Sequence, residues 1–281
     1  MDSIRELLVE NGLGRIAGEI AAAVKHSVEL APGQPGEGAT HRLGGRPNLP
    51  KAVEWPVWKG RPLAFVAQVE LLQIPPIEGL DLPASGSLCF FSEGGKVWGF
   101  QPEHAGSARA IFSPEPLAAH PLRNLPTFLP KGLRFDAVQM IAKPAHVAIP
   151  NPQDKCLESI EMNPQERGSY FEVHEQWVGR TMETFHRIGG YPDCIQPSVD
   201  PKLEAHLVSH GLNCGDQSGY REGKERGLWP GAADWELLLQ VDSEGGIGMQ
   251  WGDGGRLYFL IHKDDLRQRR FEKAWMTLQC D

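Results

Sequence analysis

Apolar and polar residues follow different patterns in successive parts of the chain. Near the start, Ile4, Leu7 and Leu8 recur at helical spacing and a second apolar-faced segment covers residues 16–24, which predicts two short helices. From residue 31 to about 150, apolar runs are short and Gly and Pro separate them, as is typical of strands. The strands predicted here are 62–71, 87–91, 96–100 and 145–150, with 87–91 and 96–100 forming a hairpin.

Helical start signals return after residue 162. Asn163 can cap a helix that continues to about Phe185, and Asp200 followed by Pro201 begins a shorter helix. Residues 211–233 have Gly at every fourth position and are predicted to form a long loop. Strands are predicted again at 235–242, 256–262 and 273–280, with a helical turn at 264–266.

One phrase occurs twice in the chain. HRLGGRP at 41–47 returns as HRIGGYP at 186–192, and each copy precedes a Gln-Val-acid strand and then a Gly-x-Leu-x-Phe strand. This order predicts an internal duplication, with two similar β-rich halves around a pseudo-twofold axis. His186 lies 145 residues after His41, whereas Gln240 lies 172 after Gln68, so the second half carries an insertion at about 200–233.

These patterns predict an α+β fold that is mainly antiparallel. The expected organisation is N-terminal helices at 1–30, a first β-rich half at 31–162, and a second half with a helical insertion at 163–281. We expect the three parts to form one compact domain.

The repeated phrase has two interpretations. Gln68 and Gln240 stand inside apolar strands and need hydrogen-bond partners, and Arg42 and Arg187 could each reach a carboxylate. If that carboxylate is internal, the phrase is a structural clamp; if it belongs to a ligand, the phrase forms a paired anion or ligand site. We favour the clamp, because Gly-Pro turns usually reflect backbone geometry.

A catalytic interpretation centres on His186. This histidine is equivalent to His41 in the repeat, and with Arg187 and Asp253 it could form a hydrolase-like site between the halves. No G-x-S-x-G nucleophile motif accompanies it, and Asp253 in Trp-Gly-Asp-Gly-Gly is explained as a turn residue. Binding is therefore expected rather than catalysis.

No metal or cofactor is expected. His206 and His210 would share a helix face, but Gly211 ends that helix before Cys214. Glycine-rich segments lack the spacing of a phosphate-binding loop.

Two aromatic surfaces are candidates for binding a partner. Trp55 and Trp58 flank a turn, and Tyr220 and Trp229 lie in the glycine-rich segment. Exposed aromatic side chains concentrate binding energy at interfaces.

Charge and cysteine content limit the classes of partner. The net charge of −8 disfavours nucleic acid and would attract a basic protein, although such a charge is also ordinary for a soluble protein. Five cysteines without a C-x-x-C motif are typical of reduced thiols. With no apolar run of bilayer length and no signal peptide, we expect a cytoplasmic protein without membrane association.

Several motifs together resemble the YwqG-like family of bacterial proteins, a domain of unknown function. They are RLGGRPNLP (42–50), WP (55–56), AFVAQVEL (64–71), LPASGSLCFF (82–91), HRIGGYPDCIQ (186–196), WELLLQVDSE (235–244), WGDGGRLYFLI (251–261) and FEKAWMTLQC (271–280). The sequence departs from the family pattern at His41, where serine is frequent, and at Gly189, where leucine is common. The resemblance implies a duplicated, largely antiparallel α+β fold and no established activity. Because such genes often neighbour toxin and immunity genes, it also implies a binding or toxin-neutralising role.

Overall fold

The computed structural model describes residues 2–34, 40–152, 154–181, 186–196 and 199–280. The helix end predicted near Phe185 lies outside these ranges. Within them the helices are α1 (Asp2–Glu10), α2 (Ala17–Ala22), α3 (Pro164–Thr181), α4 (Pro201–Ser209), α5 (Ser218–Glu225) and α6 (Lys263–Arg267). None of the helices in the described part of the chain has the length and hydropathy needed to cross a bilayer.

Most strands of the described chain belong to one antiparallel sheet. In chain order they are β1 (Lys25–Pro32), β2 (His41–Leu43), β3 (Val57–Trp58), β4 (Arg61–Pro62), β5 (Ala64–Glu70), β6 (Ser87–Ser92), β7 (Ala108–Ser113), β8 (Val138–Ala148), β9 (Arg187–Gly189), β10 (Trp235–Asp242), β11 (Arg256–His262) and β12 (Trp275–Gln279). The large sheet has the order β12-β11-β10-β9-β1-β8-β2-β5-β6-β7, while β3 and β4 form a separate pair. The prediction of a mainly antiparallel α+β fold is confirmed.

The sheet has matching flanks on the two sides of the central pair β1 and β8. Glu29 lies opposite Lys143 near the middle of that pair. Outward from it, β9, β10, β11 and β12 follow on one side and β2, β5, β6 and β7 on the other. Consecutive strands β1 and β2 are not neighbours, because β8 lies between them.

The main core joins both flanks, because apolar side chains from strands far apart in the chain pack together. Val66 and Phe90 from one flank and Leu239 and Phe259 from the other belong to a single cluster. The rings of Phe90 and Phe259 meet edge to face at 5.0 Å between centroids. Helices α1 to α3 build a second cluster, and α4 contributes to a third with Phe100 and Trp229.

Two helices begin where the sequence predicted. At α3, Asn163 Oδ1 accepts from Glu166 N and Glu166 Oε2 accepts from Asn163 N, each at 2.9 Å, which completes a capping box. At α4, Asp200 Oδ1 accepts from Lys202 N at 2.8 Å. These caps supply partners for N–H groups that the first helical turn leaves without one.

The predicted hairpin of 87–91 with 96–100 is wrong. Strand β6 pairs instead with β7, as Cys89 lies opposite Ile111. The backbone has positive φ at Gly95 and Gly99, of 92° and 83°. The segment between them therefore turns away from β6 and crosses to β12, where Leu278 N donates to Trp98 O at 3.0 Å.

The long loop predicted at 211–233 is also wrong. This segment contains α5 and a short 3-10 helix at Trp229–Asp234. Its glycines permit close packing: a Cβ on Gly223 would lie 2.3 Å from Leu207 Cδ2 of α4, and one on Gly219 would lie 2.3 Å from Asn213 O. The repeated glycines thus reflect packing between α4 and α5 rather than an irregular loop.

Candidate functional site

The first copy of the repeated phrase ties β2 to β5. Arg42 lies opposite Gln68 in the sheet. Gln68 Oε1 accepts from Arg42 Nη2 and from Asn48 N, each at 3.0 Å. Asn48 Oδ1 accepts in turn from Arg42 Nη2 and Gln68 Nε2, each at 3.2 Å. We call this arrangement the β2 clamp.

The second copy builds the same arrangement between β9 and β10. Arg187 lies opposite Gln240. Gln240 Oε1 accepts from Asp193 N at 2.9 Å, and Gln240 Nε2 donates to Asp193 Oδ2 at 3.0 Å. Asp193 also forms an ion pair with Arg187. We call this arrangement the β9 clamp.

The two clamps differ in charge and burial. Asn48 in the β2 clamp is neutral, whereas the corresponding Asp193 in the β9 clamp is a carboxylate. Arg187 is buried, and burial lowers its pKa to about 9. Both arginines bind acceptors inside the protein, as the structural interpretation of the phrase expects. Sequence reasoning did not identify Asn48 and Asp193, although each directly follows the proline of its phrase.

The two equivalent histidines make equivalent backbone contacts. His41 Nδ1 accepts from Glu70 N at 3.2 Å, and His186 Nδ1 accepts from Asp242 N at 3.1 Å. His186 Nε2 lies 3.9 Å from Glu244, while Asp253 is exposed in the turn after Trp251. The contacts of His186 thus join it to Asp242 and Glu244 rather than to Asp253.

These histidines should make stability depend on pH. Burial lowers the pKa of His41 and of His186 to about 4, below the ordinary histidine value of 6.5. The unfolded chain therefore binds more protons between pH 6.5 and 4, and the stabilisation is lost as the pH falls through that range. We expect each histidine to account for about 2 kcal/mol of the stability lost between pH 7 and 5.

Urea unfolding of the wild type and of His41→Gln at both pH values measures this contribution. The variant should lose about 2 kcal/mol less than the wild type on acidification. An identical loss in both proteins would show that His41 is not responsible.

Trp55 and Trp58 are both partly buried rather than fully exposed. Trp55 Nε1 donates to Leu63 O at 2.9 Å, and its ring meets Phe91 edge to face at 5.4 Å. Trp58 Nε1 donates to Ala105 O at 3.0 Å, and the side chain lines a cavity of about 500 Å³ beside Phe128. Trp55 thus contributes to a small core, and Trp58 lines a pocket.

A larger cavity lies between α4, α5 and the segment that precedes α4. Its volume is about 650 Å³, and it is open to solvent on one side. We call it the acidic pocket. Its lining residues are Phe100, Gln196, Val199, Asp200, Leu203, Glu204, Cys214, Gly215, Gln217, Tyr220, Arg221 and Trp229.

Two carboxyl groups of the acidic pocket are almost fully buried. Asp200 is 7% exposed and Glu204 is 2% exposed, and α4 places both on the wall of the pocket. Among the residues that the structure describes, none donates a hydrogen bond to Asp200 Oδ2 or to Glu204 Oε2. Burial raises the pKa of Asp200, and it raises the pKa of Glu204 to about 8. A buried carboxyl oxygen without a donor is costly, and these two oxygens lie behind the pocket surface rather than open to it.

The nearby lysine is already paired. Lys202 Nζ lies 2.6 Å from Asp154 Oδ2, and both side chains are buried. Burial opposes both charges, but each stabilises the other, so the pKa of Lys202 is raised and that of Asp154 is lowered. Lys202 thus already holds one carboxylate, and Asp200 and Glu204 add two more carboxyl groups to the same region.

Aromatic side chains form the opposite wall. Tyr220 OH donates to Glu204 Oε1 at 2.7 Å, and Trp229 Nε1 donates to Tyr220 O at 3.1 Å. The sequence singled out Tyr220 and Trp229, and the structure brings them together in the acidic pocket. Sequence reasoning treated Asp200 only as a helix cap and did not single out Glu204, although the two acids stand four residues apart.

The thiols near the acidic pocket are in the unreactive form. Burial raises the pKa of Cys214 to about 12 and that of Cys194 well above its ordinary value. A thiol that is neutral at physiological pH is a poor nucleophile.

His206, His210 and Cys214 do not form a metal site. The two imidazole rings lie 4.5 Å apart, but His206 Nδ1 accepts from Trp235 Nε1 at 3.2 Å. Cys214 lines the acidic pocket, whereas both histidines line a different cavity. Across the described ranges, no three or more His, Cys, Asp or Glu residues are placed to hold a metal ion.

Comparison with known proteins places this architecture in a family. Comparison with curated proteins finds no match. A family model described as "Domain of unknown function (DUF1963)" matches residues 41–280, which include both clamps and the acidic pocket. Because this match covers most of the chain, the protein belongs to the DUF1963 family.

Proposed function

We propose that this protein is a binding protein and that the acidic pocket holds its ligand. One observation carries the proposal: the buried carboxyl groups of Asp200 and Glu204, each with an unpartnered oxygen, line an open pocket of about 650 Å³. Pockets that bind ligands usually combine apolar walls with a few convergent polar groups. Leu203 and Trp229 supply apolar surface, and the two acids supply the polar groups.

Binding is favoured over hydrolysis by the environment of the candidate catalytic residues. His186 uses Nδ1 to accept a backbone N–H, and its side chain is 1% exposed. A general base needs to reach the proton that it removes. The acidic pocket offers neither a thiolate nor a histidine among its lining residues.

The partner that we propose is a basic protein. The chain has a net charge of −8, which attracts positively charged partners over long distances. Within this proposal, a role in neutralising a toxin in the bacterial cytoplasm follows from the resemblance to the YwqG-like family. Trp58 would lie in a second contact surface, since it lines the cavity beside the exposed Phe128.

We also infer that the chain arose by internal duplication. The matching clamps support this inference, as do the equivalent histidines and the order of strands outward from β1 and β8. In this arrangement β8 corresponds to β1. The second repeat would then begin before Val138 rather than at residue 163, and the insertion would comprise α4, α5 and the 3-10 helix before β10.

The binding proposal is tested by blocking the pocket. Gly215 lines its mouth and is exposed, and a Cβ there would lie 3.3 Å or more from its neighbours, so Gly215→Trp should fill the pocket without unfolding the protein. Gly168→Trp on α3 is the matched control, because Gly168 is exposed and has open space around it. Tagged wild-type and variant proteins would be incubated with native lysate at physiological salt, and bound molecules identified by mass spectrometry.

We expect a stoichiometric ligand or partner on the wild type and on Gly168→Trp, and at least a tenfold loss on Gly215→Trp. Retention of the same molecule by Gly215→Trp would place binding elsewhere. A wild-type protein that retains nothing would contradict the binding proposal.

A further inference from the structure

We propose that the acidic pocket binds an alkylammonium or guanidinium group and that Glu204 releases its proton when the cation enters. This inference rests on the proposed binding function and specifies the ligand of the same site. Asp200 caps α4 and Glu204 follows one helical turn later, so a cationic head group that enters between their side chains would lie beside both carboxyl groups. The supporting observations are the unpartnered oxygens, the balance of charge and the aromatic wall.

The unpartnered oxygens require hydrogen-bond donors. Within the described ranges Asp200 Oδ2 accepts no hydrogen bond, and neither does Glu204 Oε2, which becomes a full acceptor once Glu204 loses its proton. An ammonium group carries three donors and no acceptor, and a guanidinium carries five. Hydrogen bonds from a charged donor to a carboxylate are about twice as strong as neutral ones.

Charge balance favours a cation over a neutral donor. Lys202 is the buried cation of this region, and it is held at 2.6 Å by Asp154. Asp200 therefore shares Lys202 with Asp154, and Glu204 would add a further negative charge to this region once it loses its proton. Arg221 also lines the pocket, but its side chain is exposed and it lies on α5 at the rim.

The apolar walls of the acidic pocket are suited to an alkyl chain that carries the cation. Phe100, Leu203 and Trp229 line the pocket, and aromatic rings attract cations through their faces. A lysine or arginine side chain has this combination of alkyl stem and charged end, and so does a free alkylamine. The shared chemistry is a protonated amine or guanidinium on a short apolar chain.

Glu204 is the group that exchanges the proton. Its Oε1 accepts from Tyr220 OH, while burial keeps the carboxyl group mostly protonated at pH 7 in the empty pocket. When the cation arrives, the O–H bond of Glu204 breaks, the proton leaves to solvent, and the carboxylate pairs with the ligand. The described titratable and charged groups around Glu204 are Asp200, which caps α4, Lys202 on α4, Asp154 and Cys194 before α4, Cys214 after α4, and Tyr220 and Arg221 on α5.

Isothermal titration calorimetry with n-butylammonium chloride tests both the binding of a cation and the release of a proton. Titrations in buffers of different ionisation enthalpy at pH 7 count the protons released, and n-butanol serves as the neutral probe of the same length. We expect about one proton released per ligand, a dissociation constant that falls about tenfold per pH unit from pH 6 to 7, and at least tenfold weaker binding of n-butanol.

Glu204→Gln should bind n-butylammonium at least tenfold more weakly at pH 8 and release no proton, whereas Glu225→Gln on the exposed face of α5 should behave as the wild type.

The tripeptide acetyl-Gly-Lys-Gly-amide is the second probe: tighter binding than n-butylammonium identifies a protein side chain as the ligand, and weaker binding identifies a free amine.

Binding of n-butanol as tight as that of n-butylammonium overturns the assignment of a cation. Proton release that persists in Glu204→Gln overturns the role of Glu204. If n-butylammonium does not bind while the molecule captured from lysate is still lost in Gly215→Trp, the cation inference fails and the binding function stands.

Discussion

Asp193→Ala is expected to lower the free energy of unfolding by about 3 to 5 kcal/mol. The substitution removes the carboxylate that pairs with Arg187 and that accepts from Gln240 Nε2. Arg187 is 6% exposed, so its charge would remain buried without that carboxylate. Urea unfolding at pH 7, followed by circular dichroism, measures the loss.

Asn48→Ala is the matched control in the β2 clamp. It also removes an acceptor for arginine and glutamine, but Arg42 is only partly buried and keeps bonds to Gln68 and to the carbonyl of Arg46. We expect a smaller loss, of about 1 to 2 kcal/mol. If the two variants lose equal stability, the buried charge of the β9 clamp does not explain its contribution.

Gly44→Ala is expected to cost about 2 to 5 kcal/mol, for two reasons that add. Gly44 has a φ of +62°, and a side chain in this left-handed region costs about 1 to 2 kcal/mol. A Cβ would also lie 2.1 Å from Asp136 O, and relieving such overpacking costs about 1 to 3 kcal/mol. Chemical denaturation of the variant measures the total.

Gly12→Ala separates these two costs. Gly12 has a φ of +77°, and no atom lies within 4 Å of a Cβ placed there. It should therefore show the conformational cost alone, about 1 to 2 kcal/mol. A Gly44→Ala loss no larger than that of Gly12→Ala would mean that the loop before β8 adjusts without cost.

Local features of the sequence predicted local structure well. The caps at Asn163 and Asp200 could be predicted because a capping side chain accepts a hydrogen bond from a backbone N–H only two or three residues later. The buried strands β5 and β10 were readable as apolar runs. The hairpin at 96–100 was not, because Gly99 directs that segment to β12, which lies far away in the sequence.

For the candidate site, too, the sequence predicted local features but not the contacts between distant segments. Tyr220 and Trp229 could be identified as aromatic residues in a glycine-rich segment, but their neighbours in the acidic pocket could not. Asp200 could be predicted as a helix cap, but its place beside Phe100 and α5 in the wall of the acidic pocket depends on residues far away in the sequence. Asn48 and Asp193 could not be identified as clamp partners from the sequence, because each contacts its glutamine only after a turn has brought the chain back beside the strand.

The position of β8 between β1 and β2 has a consequence for synthesis on the ribosome. When residues up to about 130 have emerged, β2, β5, β6 and β7 can pair, but the edge of β2 that receives β8 is open and β1 has neither of its neighbours. Strand β8, the partner of both β1 and β2, begins only at Val138, and β9, the other neighbour of β1, begins only at Arg187. Open strand edges promote association between chains, so at this stage chaperone binding would protect the nascent protein from aggregation. Ribosome-bound chains stalled before residue 138 should therefore be more sensitive to protease than those stalled after β12.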